Sequence, residues 1–320
     1  MPIKMVFWPA LQPEWMEKVR ELGFETVEAT SEEEAAEQIK KADALYGRVT
    51  PALLKAGKRL RWIQASSAGL DRFFFPELRD SEVTVTNMRG IYSDVIADHV
   101  FAFILSFARN LQFYIKKQLE GKWERGEREF IHLEGKTLAI LGLGGIGLEV
   151  AARGHVVGMR VVALDPAPKA RPEYVERVYE PEELHEMLAI ADFVVVAVPH
   201  TPETEHLINR AAIKVMKRTA VVVNIGRGKV VYLTALTQAL QDGRLGGACL
   251  DVFEEEPLPE GHPLWEMDNV IITPHLAGDS DATFERRMQI LVENCRRFRD
   301  DERLLNIVDK QKGYVVEANT

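Results

Sequence analysis

Cysteine is scarce in this chain. Only Cys249 and Cys295 occur in 320 residues, with no CxxC pair and no His/Cys spacing suited to a metal. That excludes a disulfide framework and a cysteine-based metal centre, and a reduced, cytoplasmic setting is expected. Long apolar runs are also missing: no window spans a bilayer, and charges punctuate the N-terminal stretch MPIKMVFWPALQPEW, which has no leader-like apolar core. Positive charge is not in excess. The formal net charge is -9 and Lys and Arg are scattered, so neither nucleic acid nor an anionic lipid surface is the expected partner. The densest acidic run, Glu32-Glu33-Glu34, follows Ser31 and reads as the start of a solvated helix. Repeats at solenoid period and low-complexity linkers are absent.

What remains is an ordinary globular composition, 46% hydrophobic and 28% charged, at a length that suggests two domains. Strand-like and helix-like segments alternate. The first series has strands at 3–7, 25–28, 44–46, 62–65 and 83–86, with helices at 14–22 and 32–41. One long, unusually apolar helix is expected over 91–119, buried between domains or between subunits. A second series follows from Thr137: TLAIL, RVVAL, FVVVAV, AVVVNI, ACLDVF and NVIITP are short Val/Ile-rich runs. Near-continuous apolar strands alternating with helices imply a parallel sheet covered on both faces. A last helix is expected over 284–300. The chain is thus α/β throughout, with one domain at 1–95 plus 284–320 and a second at 96–283.

Residues 138–147 read LAILGLGGIG, placing Gly142, Gly144 and Gly147 in GxGxxG spacing directly after a strand. A helix follows at 148–154, then a strand at 160–164 ending in Asp165, which lies 18 positions beyond Gly147 (165 − 147). This is the context of a Rossmann-type, doubly wound dinucleotide fold. The glycines allow a tight turn and close backbone approach, and the helix N-terminus faces the pyrophosphate. A carboxylate at Asp165 accepts hydrogen bonds from ribose hydroxyls and repels a 2′-phosphate, favouring NAD over NADP. Lys169 and Arg171 stand nearby as cations of opposite effect.

Ligands of open parallel sheets bind beyond the carboxyl ends of the strands. Here AVVVNI runs into Gly226-Arg227-Gly228, ACLDVF into Glu254-Glu255-Glu256-Pro257, and NVIITP into His275. An arginine between glycines suits an anionic ligand, and a carboxylate beside a histidine orients it and favours its protonated form. At these residues the chain resembles the D-2-hydroxyacid dehydrogenase family. The likeness covers nearly the whole length: SSAGLD at 66–71, the long helix after NMRG, LGLGGIG with Asp165, VPHTPET at 198–204, NIGRGKVV, LDVFEEEPLP, HPLWEMDNV and TPHLAG. The resemblance implies a flavodoxin-like substrate domain beside the Rossmann-type domain, closing over it to exclude water. It implies a homodimer through the long apolar helix, with NAD as cofactor, a small 2-hydroxy or 2-keto acid as substrate and no metal.

By the same resemblance Arg227 binds substrate, Glu256 is the partner acid and His275 the acid/base. Asp251 holds the nicotinamide carboxamide, and Gly145, Ile146, Pro199, Thr204, Ile225, Gly226 and Gly278 line the cofactor. Arg48 and backbone groups at Ala68 and Gly69 hold the substrate carboxylate. Glu254 and Glu255 are expected to face solvent, Phe73-Phe74-Phe75 to pack in the core in preference to lining a substrate pocket, and Trp265 to pack. The chain departs from the family pattern at Arg89 (commonly proline), Asp98 (commonly Glu), Tyr232 (commonly acidic) and His155, and Arg89 is a candidate for altering substrate preference. A non-catalytic NAD-sensing, corepressor-like protein of the same fold is the alternative reading. A formate dehydrogenase is disfavoured, because Glu256 stands where that branch resembles a glutamine.

Overall fold

The computed structural model describes residues 2–70, 73–167, 171–313 and 315. Asp71 and Lys169 lie outside the described residues. The chain divides into two compact units, Met1–Ile91 with Ser280–Thr320, and Tyr92–Asp279.

The first unit is a five-stranded parallel sheet of β1 (Ile3–Trp8), β2 (Phe24–Glu28), β3 (Ala44–Gly47), β4 (Trp62–Gln64) and β5 (Thr84–Thr86). Its order, β2-β1-β3-β4-β5, is the flavodoxin-type arrangement. The connecting helices are α1 (Pro13–Glu21), α2 (Glu32–Ile39), α3 (Pro51–Ala56) and α4 (Pro76–Arg79). Side chains cap two of them: Ser31 Oγ accepts from Glu34 N at 3.2 Å, as expected, and Thr50 Oγ1 accepts from Leu53 N at 3.3 Å. The C-terminal helix (Thr283–Arg299) belongs to this unit through a buried polar link. Asn294 Nδ2 donates to Gln64 Oε1 at 2.8 Å, both side chains being fully buried. Beyond it Val308 and Val315 enter the same core as Val6, Leu45 and Ile63. Phe73, Phe74 and Phe75 are partly buried and pack against that core.

The second unit opens with α5 (Ser93–Ala108) and α6 (Leu111–Leu119), where a single helix was expected. The break is at Asn110, whose backbone is left-handed (φ 55) and whose Nδ2 donates to Glu129 O at 2.8 Å. Asparagine tolerates that conformation, and it stops the helix. Burial differs from the expectation too: Val100, Phe101, Phe103 and Ile104 of α5 are buried, whereas α6 has no buried residue.

The rest of the unit runs β6 (Thr137–Leu141), α7 (Gly145–Val156), β7 (Arg160–Leu164), β8 (Val175–Tyr179), α8 (Leu184–Ile190), β9 (Phe193–Val196), α9 (Arg210–Val215), β10 (Val221–Asn224), α10 (Leu233–Gln241), β11 (Gly247–Leu250) and β12 (Val270–Ile272). The parallel sheet has the order β12-β11-β10-β9-β6-β7-β8, a Rossmann arrangement with a seventh strand. Alternation along each strand feeds two separate cores. Ala139, Leu141, Val194, Val196 and Val222 face one, and Leu138, Ile140, Phe193, Val195, Val221 and Val223 face the other. Apolar residues at every position are what a sheet covered on both faces requires.

Candidate active site

The order reverses between β6 and β9, and the glycine-rich turn leaves β6 there. Gly142 has φ 95, a conformation that L side chains rarely adopt, and its place in the turn is crowded by Ala197 and Val198. A Cβ on Gly147 would lie 2.0 Å from Gly142 O, so no other residue lets α7 approach β6 so closely. A Cβ on Gly144 would meet nothing within 4 Å, whereas one on Gly145 would lie 2.7 Å from Ser93 Oγ. The middle glycine therefore borders open space at a helix N-terminus, where the first N–H groups lack intrahelical partners. A diphosphate fits such a place. Ile146, next along, is half-buried against the core.

Asp165 stands at the end of β7 with both carboxylate oxygens engaged. Oδ2 accepts from Leu143 N at 2.8 Å and Oδ1 from Ala167 N at 2.9 Å. The carboxylate is thereby fixed against the glycine-rich turn, with lone pairs left for a diol. Arg171 is turned elsewhere: its Nη2 donates to Glu176 O at 2.9 Å, along β8.

At the carboxyl ends of β11 and β12 two of the expected site residues, Glu256 and His275, meet. His275 Nδ1 lies 2.8 Å from Glu256 Oε2, with the imidazole 53% exposed and the carboxylate 28%. Glu256 is itself held, because its Oε1 accepts from Phe253 N at 3.0 Å. His275 has φ 54, and a histidine held there reflects constraint by the surrounding loop. That constraint comes from Asp251, which is 1% exposed. Its backbone oxygen accepts from His275 N at 2.8 Å, Oδ1 from Leu276 N at 2.9 Å, and Oδ2 from Ala277 N at 3.0 Å. Thr273 Oγ1 donates to the same Oδ1 at 2.6 Å. Asp251 thus holds the histidine loop from below.

Arg227 leaves β10 in an extended conformation. Its Nη1 donates to Gly226 O at 2.7 Å, and Asn224 Nδ2 donates to Arg227 O at 3.1 Å. Gly228 packs directly on Phe253 and Glu254, where any Cβ would fall within 2 Å of backbone. This close packing ties the arginine loop to the glutamate loop. Ile225 is buried beneath it, Gly226 abuts the backbone of Val196 and Val198, and Gly278 abuts the Tyr92 ring. Thr204 Oγ1 donates to Pro199 O at 2.7 Å, closing the turn after β9.

Two expectations on this loop need correction. Glu254 is not simply solvent-facing: its Oε1 accepts from Leu233 N at 2.7 Å, at the start of α10, and lies 3.4 Å from His206 Nε2. The side chain of Tyr232 makes no capping hydrogen bond there, and Glu254 takes that place from a neighbouring loop. Trp265 is 52% exposed rather than packed, with Nε1 donating to Pro259 O at 3.1 Å. Glu255 is exposed as expected.

In the first unit, Arg48 is exposed at the end of β3, and Ala68 and Gly69 follow β4. Asn87 Nδ2 donates to Ala68 O at 2.7 Å and Ser67 Oγ to Gly69 O at 2.9 Å, so this loop has a fixed backbone. Arg89 Nη1 donates to Val315 O at 2.5 Å, anchoring the C-terminal segment. In the second unit, Asp98 Oδ1 pairs with Arg153 Nε at 2.9 Å, and His155 stacks on Tyr174 with centroids 5.0 Å apart. The sequence reading missed Asn224, Phe253 N, Thr273 and His99. Asn224 and Thr273 adjoin recognised motifs, but nothing local marks His99.

Residues 101–277 match the family model described as D-isomer specific 2-hydroxyacid dehydrogenase, NAD binding domain. The chain is 35% identical over 285 residues to glyoxylate reductase of Korarchaeum cryptofilum, covering 86% of this chain and 85% of that one. It is similar to the D-isomer specific 2-hydroxyacid dehydrogenase of Xanthobacter autotrophicus Py2 in complex with NADPH and MES (31% identity, TM-score 0.81, 98% and 100% covered). The D-lactate dehydrogenase of Aquifex aeolicus complexed with NAD and lactic acid is a further structural relative (28% identity, TM-score 0.79, 99% and 100% covered). With the glycine turn of a dinucleotide site and a Glu–His pair in one domain, the matches lead to one conclusion: this chain belongs to the NAD-dependent D-isomer specific 2-hydroxyacid dehydrogenases.

Proposed function

We propose that the chain interconverts a short 2-keto acid and its D-2-hydroxy acid, with His275 as proton carrier, Glu256 as its partner and Arg227 as the group that polarises the keto oxygen. One observation carries the reading: the 2.8 Å contact of His275 Nδ1 with a glutamate fixed on Phe253 N. That contact sets Nδ1 toward Glu256 and leaves Nε2, across the ring, as the nitrogen for substrate. Bound NAD supplies or accepts the hydride at C2. Gly142, Gly144, Gly147 and Asp165 would hold it, and Asp165 favours NADH over NADPH by charge. Arg227 offers a planar, permanently charged fork to the oxygen on which charge develops. In reduction His275 gives up its proton to that oxygen, and in oxidation it takes the proton back.

Similarity to a glyoxylate reductase favours the smallest keto acids. The test is NADH oxidation with glyoxylate, hydroxypyruvate, pyruvate, phenylpyruvate and 2-ketoisocaproate. Turnover is expected to be greatest with glyoxylate or hydroxypyruvate. No turnover with any of the five, in a protein that still binds NADH, would replace the enzyme by an NAD-sensing protein.

The same proposal includes a homodimer in the cytoplasm. Leu105, Leu111, Ile115, Leu119 and Trp123 of and after α5–α6 are 44%, 44%, 54%, 83% and 101% exposed. A row of large apolar side chains in water is the kind of surface a second copy covers. Both cysteines are free and buried, in keeping with a reducing compartment.

A further inference from the structure

We infer that His99, on α5, is a positioning residue for the reactive loop, acting through Thr273 and Asp251; the inference rests on His275 being the proton carrier. His99 Nε2 lies 3.1 Å from Thr273 Oγ1 and 3.9 Å from Asp251 Oδ1. Direction along this chain follows from the count of protons. A threonine hydroxyl has one, and the 2.6 Å contact with Asp251 Oδ1 uses it. Thr273 Oγ1 must therefore accept from His99, so the imidazole presents Nε2–H. The polarised sequence is His99 N–H to Thr273 O–H to the Asp251 carboxylate. That carboxylate in turn receives Leu276 N–H and Ala277 N–H, while its backbone oxygen receives His275 N–H.

The ring is not free to turn away. Phe103 packs edge-on against it at 4.4 Å between centroids, and the side chain is 18% exposed. Burial pushes the imidazole below its ordinary range, partly offset by the nearby Asp251 charge, which suits a neutral ring donating from Nε2. His99 therefore sets the rotamer of Thr273 and completes the shell of a buried carboxylate. Without that donor Thr273 can rotate, and the left-handed backbone at His275 loses one of its restraints. The cost falls on the precision of proton transfer rather than on substrate affinity.

The test uses the full-length protein with glyoxylate and NADH. His99→Leu should lower kcat about tenfold with keto-acid KM little changed, since such supporting partners are typically worth that much. His99→Gln, whose Nε2 amide can still donate to Thr273, should recover most of the loss. Thr273→Val should lower kcat similarly, and the double variant should fall no further than either single one. His99→Asn, polar but too short to reach Thr273, repeats the loss if the leucine variant does not fold. An unaltered kcat in His99→Leu or His99→Asn, losses that multiply in the double variant, or a glutamine variant as impaired as the leucine one would each overturn the inference. His275→Asn is measured alongside. If that variant keeps its rate, the proton-carrier reading fails by itself; if it is dead while His99→Leu is unimpaired, only the role of His99 falls.

Discussion

Asp165 uses both carboxylate oxygens on backbone N–H groups of its own surroundings, so its charge and its scaffolding role must be tested separately. Asp165→Asn removes the charge and keeps one of the two acceptors for that backbone, and the thermal midpoint of the same variant reads the scaffolding loss. The ratio of kcat/KM for NADPH over NADH should then rise at least tenfold, about 1.4 kcal/mol. A ratio that does not move means the carboxylate does not face the adenosine ribose. The Glu256–His275 contact makes a second prediction. On the proposed role of His275 as proton carrier, the 2.8 Å contact with Glu256 fixes the ring and its Nδ1 side. Glu256→Gln retains the shape and loses the charge beside the ring, so kcat for reduction should fall about tenfold or more with NADH affinity little changed. Glu255→Gln, at an exposed position, should leave kcat where it was. Exchange of these behaviours would assign the partner role to Glu255. The residue types at these sites were legible because GRG, EEEP and TPH each stand at the end of an apolar strand. Thr273 and His99 were not, since their roles exist only once α5 packs along β10 and β11.

At the scale of elements, the alternation of apolar runs with helical segments was enough to place every strand of the second sheet except β8. That strand reads VERVY, with two adjacent charges at Glu176 and Arg177, and pairs with β7 at the sheet edge through an irregular register. An edge strand need not be apolar throughout, so it lacks the mark that identifies its neighbours. The helix break at Asn110 was likewise hidden, because one residue entering the left-handed region is decided by the packing around it. The start of α10 shows a compensation that no local pattern announces. Tyr232 cannot cap the helix, and Glu254 accepts the Leu233 N–H from across the loop. Glu254→Ala should therefore lower stability by about 1 kcal/mol, the usual worth of a cap, read as a lower thermal midpoint. Glu255→Ala, which caps nothing, should leave the midpoint in place.

For the whole molecule, the exposed apolar side chains of and after α5–α6 predict self-association. Sedimentation should give twice the 36.2 kDa chain mass, and replacing Ile115 and Leu119 by glutamate should return it to the monomer. A monomer at every concentration in the unaltered protein would remove the homodimer. The last helix follows the second βα series in sequence yet groups with the first unit. What holds it there is tertiary: the buried amide of Asn294 finds its partner in Gln64, and Val308 and Val315 enter a core built from β1, β3 and β4. The sequence alone determined the class of fold, the dinucleotide turn and the chemical types at the ends of β10, β11 and β12, because each of these depends on local spacing and on period. Only the tertiary structure decided which oxygen of which acid faces His275, that Glu254 caps a helix, and that His99 closes a polar chain beneath the loop. Those are contacts between groups far apart in sequence, and their distances are set by how the sheet and helices pack.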